Sequence, residues 1–370
     1  MSDYIGSDAA SAHRQPPLDA IVVVNLGTPD APTAPALRRY LGEFLSDPRV
    51  IELPRWLRWL LLNLVVLRVR PARSARAYAR VWTQAGSPLR VLSEALVSAL
   101  RAHLQTRGNA PEIHLAMSYG EPALARVLEQ LRARGLTRLL VLPLYPQYSG
   151  STTGAVFDAL TRVVSGWRWV PQLQFVSDYF REPGYIEALA RSVQAHWREH
   201  VGGERLLLSF HGTPRRYVLD GDPYFCQCHA TARLLRECLG LSEAELTISF
   251  QSRVGREVWV QPYTDALLRE WAAAGVRRVQ VLCPGFAVDC LETLDEIAHE
   301  AAEVFHRQGG GTLEYIPALN ANAAHVDALL ALIDRQCAGW GAPGSADALM
   351  RAARAEALCK RESWLAQSSR

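Results

Sequence analysis

The chain has 370 residues, 49% of them hydrophobic, enough to bury a large core split over two domains. A net charge of +3 gives no bulk field for holding a nucleic acid, and the first 18 residues, polar and small with Pro16-Pro17, lack the apolar run of a secretory signal. Seven scattered cysteines (Cys226, Cys228, Cys238, Cys283, Cys290, Cys337, Cys359) form neither a Cys-x-x-Cys pair nor a disulfide framework, which predicts a reducing, cytosolic compartment.

Short runs of β-branched and leucine residues at 20–26, 113–118, 138–144 and 169–176 read as strands, and four more follow at 205–210, 246–251, 278–283 and 312–317. Segments with helical spacing separate them, such as Pro122 to Arg134 and Tyr185 to His200. Near-continuous apolar strands divided by helices are the signature of parallel sheets covered on both faces. Leu206 to Pro214 repeats Ile21 to Pro29 at an offset of 185 residues, each a strand running into Gly-Thr-Pro. Ala116 to Gly120 then sits where Ser249 to Arg253 sits, and Leu140 to Leu144 matches Val279 to Pro284. The expected fold is α/β: two flavodoxin- or Rossmann-like halves related by internal duplication, each a four-stranded parallel sheet with flanking helices. The halves span 19–182 and 183–340, and 341–370 is a tail without assignment. Neither half carries Gly-x-Gly-x-x-Gly or a P-loop, so nothing supports a dinucleotide or ATP site.

Between its first two strands the first half holds roughly fifty extra residues, an insertion at about 39–95. It contains Trp56, Trp59 and a leucine-rich stretch, with eight arginines and the single acid Glu52 between Arg49 and Arg80. The uncharged run from Trp59 to Leu67 is too short to span a bilayer, which takes about 20 residues. Such a segment suits a helix lying at an interface, or a lip over an apolar ligand; a core helix with solvated arginine flanks is the alternative.

In the second half Leu26 of the first copy has become His211, at the carboxyl end of a strand, where open α/β sheets bind ligands. A lone histidine there can also be merely tolerated in a turn. After the strand ending at Cys283, Glu292, Glu296 and Glu300 recur at i, i+4 and i+8, one face of a helix, with His299 and Glu303 beside them. An acidic helix face is commonly just solvated. Yet like charges at that spacing repel, and no Lys or Arg at helical spacing compensates. An imidazole and a carboxylate in one cleft can hold a divalent cation loosely or move protons.

These blocks together resemble the ferrochelatase family, from about Ile21 to Trp340. The resemblance rests on Asn25-Leu-Gly-Thr-Pro29, Phe44-Leu-Ser-Asp-Pro-Arg-Val50, Gly86-Ser-Pro-Leu89, Leu144-Tyr-Pro-Gln-Tyr-Ser149, Ser151-Thr-Thr-Gly154, Ser209-Phe-His-Gly-Thr-Pro214, Ser252-Arg-Val-Gly255, Trp259, Pro284-Gly-Phe286 and Asp289-Cys-Leu-Glu-Thr293. It implies two flavodoxin-like domains clamping a porphyrin, and a lyase that inserts Fe²⁺ into protoporphyrin IX. By resemblance His211 and Glu292 are the metal-site and catalytic pair, with the division of roles between them open. Glu296 and Glu300 fall on a row leading metal in or protons out, and Leu26, Tyr145, Ser149, Arg253 and Trp259 are porphyrin contacts. Trp259 can equally be an ordinary core tryptophan. The Trp/Leu/Arg insertion corresponds to the porphyrin lip, with peripheral contact to the inner membrane surface and to the preceding pathway enzyme.

Animal members carry a 2Fe–2S cluster on cysteines of the tail and of the Gln-Tyr-Ser block. Here Gly150 stands at that block position and the tail offers only Cys337 and Cys359, which argues against the cluster; Cys226, Cys228 and Cys238 are the alternative ligands. No cofactor beyond substrate Fe²⁺ is expected. Asp30 after Gly-Thr-Pro, where coproporphyrin members commonly place a tyrosine, favours protoporphyrin IX. Two other readings remain: a chelatase for another metal and tetrapyrrole, and a carrier that binds porphyrin or haem without metallating it.

Overall fold

The computed structural model describes residues 4–5, 18–107, 110–255, 257–340 and 347–368. Most of the N-terminal segment and residues 341–346 of the tail lie outside the described residues. From 347 onward the tail is the helix Asp347–Ser368.

Eight strands form two four-stranded sheets. The first holds β1 (Leu18–Gly27), β2 (Glu112–Tyr119), β3 (Leu136–Pro143) and β4 (Gln172–Phe175), in the order β2-β1-β3-β4. The second holds β5 (Arg205–His211), β6 (Leu246–Gln251), β7 (Arg278–Leu282) and β8 (Thr312–Ile316), in the order β6-β5-β7-β8. Every ladder is parallel. The two halves share register as well as order: Val24 pairs with Ala116 as Ser209 pairs with Ser249, which matches the repeat read along the sequence. The third strands differ slightly from the sequence alignment. Ile21 pairs with Leu140 and Leu206 with Gln280, so Pro143 is level with Cys283 and Pro284 lies one residue further on. Even the turns repeat, since Met117 N–H donates to the Pro122 carbonyl (2.7 Å) and Phe250 N–H to the Pro262 carbonyl (2.8 Å).

Alternation along each strand feeds two layers of helix. Ala20, Val22 and Val24 face an outer layer that includes Leu124–Ala133 and Ala155–Val164. Ile21, Val23, Leu206 and Leu208 face inward, into one cluster to which both sheets contribute. Four helices fill it: Pro88–Gln105 from the first half, and Pro183–Glu199, Tyr224–Leu239 and Ala323–Cys337 from the second. The halves thus share their largest core.

The connection from Gly27 to Glu112 is about fifty residues longer than that from His211 to Leu246. It begins with Ala34–Ser46 and continues as an unbroken helical run: Arg55–Leu61, a π-helical segment Leu62–Val66, and Leu67–Val81. Arg55–Leu61 buries none of its residues. Trp56 and Trp59 are 66% and 60% exposed, which excludes the core-helix reading of this segment.

His325, at the start of Ala323–Cys337, is fully buried and its Nδ1 lies 2.7 Å from the Asn320 carbonyl. Burial pushes its pKa down from 6.5 to about 4, so the unfolded chain takes up a proton the folded one refuses. Stability therefore rises with pH between 4 and 6.5, by at most about 3 kcal/mol from this residue. In chemical denaturation across that window, His325→Gln should flatten the stability–pH slope by about 1.4 kcal/mol per pH unit relative to wild type.

Candidate functional site

In each sheet the chain leaves the first strand toward one side and returns to the other, so the crevice between first and third strands is the topological switch point. His211 ends β5 at that crevice in the second half. The next residue must be small. A Cβ on Gly212 would lie 2.9 Å from the Gln251 carbonyl oxygen and 3.1 Å from Trp259 Cε3. Gly27 is the matching residue of the first half, and a Cβ there would collide with the Tyr119 carbonyl at 1.7 Å. Beyond Gly212, Val260 N–H donates to Thr213 O (3.0 Å) and Arg215 N–H to Val258 O (2.9 Å). That strap holds Trp259 with its ring centroid 6.4 Å from the His211 imidazole.

The His211 tautomer follows from one contact. Nδ1 sits 2.7 Å from the Gly212 carbonyl, which can only accept, so Nδ1 carries the proton. In the neutral ring the lone pair is then on Nε2, where it can serve as metal ligand or base.

The opposite wall follows β7. Asp289 is 4% exposed and accepts from Thr293 Oγ1 (2.9 Å), Tyr315 OH (2.6 Å), Asn320 Nδ2 (2.8 Å) and Ala318 N–H (3.3 Å). These bonds fix the entry into Glu292–Ala301, a ten-residue π-helix rather than the α-helix assumed from the spacing. Helices closed by i→i+5 bonds are rare and concentrate at functional sites. Buried Gln251 accepts from Ser209 Oγ (2.7 Å) and donates to the Glu292 carbonyl (2.9 Å), tying β5, β6 and this helix together.

Glu296 is the most perturbed carboxylate of the row. Ser252 donates to it from both its N–H (2.7 Å) and its hydroxyl, and holds a left-handed φ of 65° to do so. Burial nevertheless raises the Glu296 pKa above 4.5; the Ser252 hydroxyl and the His211 charge pull it down, and Glu292 adds to the rise. Glu296 therefore lies within electrostatic reach of both His211 and Glu292.

The first half supplies an apolar and phenolic wall. Leu26 packs against the cluster that holds Tyr40 and Tyr119, and Tyr78 packs against the same cluster. Burial raises the pKa of Tyr40 and Tyr78, and the Glu292 charge raises both further, so this wall faces the carboxylate. Tyr145 is likewise raised by burial and adjoins Tyr40 and Tyr119.

Three residues named from the sequence sit differently from that expectation. Ser149 is 1% exposed and its hydroxyl donates to Asp222 of the other half (3.1 Å), beside Gly150 N–H to the same carboxylate (2.7 Å). It ties the halves together through Asp222. Arg253 is exposed, with its guanidinium 4.4 Å from the Tyr263 ring centroid. Glu300 is not an unpartnered carboxylate: Arg80 Nη2 reaches it at 3.1 Å from the far end of the insertion. Arg80 also grips Asp295 through Nε (2.7 Å) and Nη2 (2.6 Å). Sequence reasoning missed Tyr78, Arg80 and Gln251, whose partners lie far away along the chain. Among the described residues, no three His, Cys, Asp or Glu side chains converge closely enough to hold a metal ion by themselves.

A family model described as ferrochelatase matches residues 18–337. A ferrochelatase of Nitrosococcus oceani is 55% identical over 320 residues, 86% of this chain and 87% of its own. One from Thioalkalivibrio sulfidiphilus is 53% identical over 348 residues, 93% and 94% of the two chains. Among solved structures, SirB from Bacillus subtilis with Fe³⁺ superposes with a TM-score of 0.53 at 12% identity, covering 88% of this chain and 98% of that one. A sirohydrochlorin chelatase SirB with cobalt gives 0.51 at 13% identity, over 86% and 95%. At such identities the two structures support the fold alone.

The close approach at Gly212 makes a direct test of the site. Gly212→Ala should push Trp259 and the β6 carbonyl apart, destabilise the protein by about 1–3 kcal/mol in denaturant titration, and displace His211. Activity should fall further than the stability loss alone explains.

Proposed function

The chain belongs to the ferrochelatase family, and from that premise we propose that it inserts Fe²⁺ into protoporphyrin IX in the cleft between His211 and Glu292. It is a lyase of haem biosynthesis: the metal enters the macrocycle as two pyrrole protons leave, giving protohaem. The observation that carries the site assignment is the His211 Nε2 lone pair, fixed by the Gly212 carbonyl at a switch point shared with Glu292 and Glu296.

A planar free-base ring hides its two N–H protons from an approaching cation. Binding energy from the rest of the macrocycle must tilt a pyrrole out of plane, and the walls carrying Leu26, Tyr145 and Trp259 supply the contact area. In this reading His211 Nε2 takes the proton, and the adjacent carboxylates stabilise the imidazolium that results. Glu296, held protonatable by its burial, takes that proton on from His211, which frees Nε2 to remove the second pyrrole proton by the same route. Glu292 meets the incoming Fe²⁺. Glu300 lies at the outer end of the row, where Arg80 occupies it. Positioned proton transfer of this kind contributes about 10²–10⁴-fold.

No resident cofactor enters this scheme. Cys226 and Cys228 stand two apart in Tyr224–Leu239, one exposed and one buried, a spacing that turns them to different faces of the helix. That arrangement supports a cluster-free reading.

No described helix is long and apolar enough to cross a membrane. The exposed Arg55, Trp56, Trp59 and Leu60 line an apolar groove at the lip, the composition of a surface that lies on lipid. We place the protein in the cytoplasm, with this lip against the inner membrane, where it can receive porphyrin from the preceding pathway enzyme.

Two measurements check these assignments. Under anaerobic conditions with protoporphyrin IX and Fe²⁺, His211→Ala and Glu292→Ala should each lower turnover by at least about 10²-fold while porphyrin still binds; wild-type-like turnover in either would remove that residue from the site. In vesicle sedimentation, Trp56→Ser/Trp59→Ser should lose most binding to anionic liposomes and keep turnover with detergent-dispersed porphyrin.

A further inference from the structure

We propose that Arg80 is a positioning residue for the metal-insertion step, coupling the lip to the helix that carries Glu292. The inference rests on the chelatase reading of the site. Arg80 lies in the last turn of Leu67–Val81, the end of the helical run whose other end is the exposed Trp56 and Trp59. Its guanidinium holds both Asp295 oxygens, at 2.7 and 2.6 Å, and extends to Glu300 at 3.1 Å. Asp295 sits in the π-helix between Glu292 and Glu296 and is only 4% exposed. Arg80 is the one hydrogen-bonding or ionic partner that Asp295 has among the described residues. A buried carboxylate gripped by a planar two-toothed donor has its position and rotation set together, which a single-point contact would not do. Tyr78, two residues earlier in the same helix, packs against the cluster of Tyr40 and Tyr119 that Leu26 also joins, within reach of the Glu292 charge. One continuous helical run therefore carries the exposed lip at its start and the grip on the metal-site helix at its end, so that a shift of the lip would move Glu292 relative to His211.

The test separates positioning from charge neutralisation. Arg80→Lys keeps the charge and removes the fork; Arg80→Met with Asp295→Asn removes both charges and leaves no buried ion unpaired. Each folded variant is assayed beside wild type for anaerobic Fe²⁺ insertion, Fe²⁺ KM, and free-base protoporphyrin affinity by fluorescence. Positioning predicts kcat lowered by about 10- to 100-fold in both, a raised Fe²⁺ KM, and porphyrin affinity little changed. Wild-type kcat in the double variant would reduce Arg80 to a counter-ion and overturn the proposal. Should wild type bind porphyrin and never metallate it, the chelatase reading fails and this one with it.

Discussion

Four carboxylates on one ten-residue helix repel each other, and two of them, Asp295 and Glu296, are withdrawn from water as well. Nothing within that helix answers the charge. The surrounding fold does so from three directions. Arg80 arrives from the insertion of the first half, Ser252 turns both of its donors toward Glu296, and Gln251 fastens the helix backbone to two strands. Asp289, itself buried, is satisfied wholly by neutral donors, so it anchors the helix without drawing a cation into the crevice. The site is thus an electrostatic cost concentrated in one place and offset by contacts that simultaneously fix its geometry.

The duplication explains how such a site arose on an ordinary scaffold. Both halves have the same strand order, the same register and the same glycine at the end of their first strand. What differs is local. At the carboxyl end of the first strand one half has Leu26, packed among tyrosines, and the other has His211 with a free ring nitrogen. One crevice thus presents an apolar wall and the other a polar one.

The strands were legible because a two-sided buried ladder leaves continuous apolar runs, and β1 to β8 all fall on runs visible in the sequence. The place of His211 at the end of β5 was legible because the repeat aligns it with Leu26. Spacing also put Glu292, Glu296 and Glu300 on one face, but it could not reveal that the helix is wound with i→i+5 bonds, since both windings bring residues four apart close together. Arg80 was hidden for a different reason. It stands among eight arginines of one segment, and only the fold distinguishes the one facing Asp295, more than two hundred residues away. What the sequence could not show of Ser149 is that its hydroxyl bonds Asp222 of the other half.

The shared inner core has a consequence for how such a chain could originate. Ile21, Val23, Leu206 and Leu208 are covered by a helical layer built from both halves, so neither sheet has a complete hydrophobic interior alone. A half cut free at the repeat boundary would expose that face to water and associate with whatever covered it. An ancestor encoding a single half would therefore have worked as a symmetric pair, with two identical crevices. Gene fusion would have released the crevices from identity, and only after that could one keep its leucine while the other acquired a histidine.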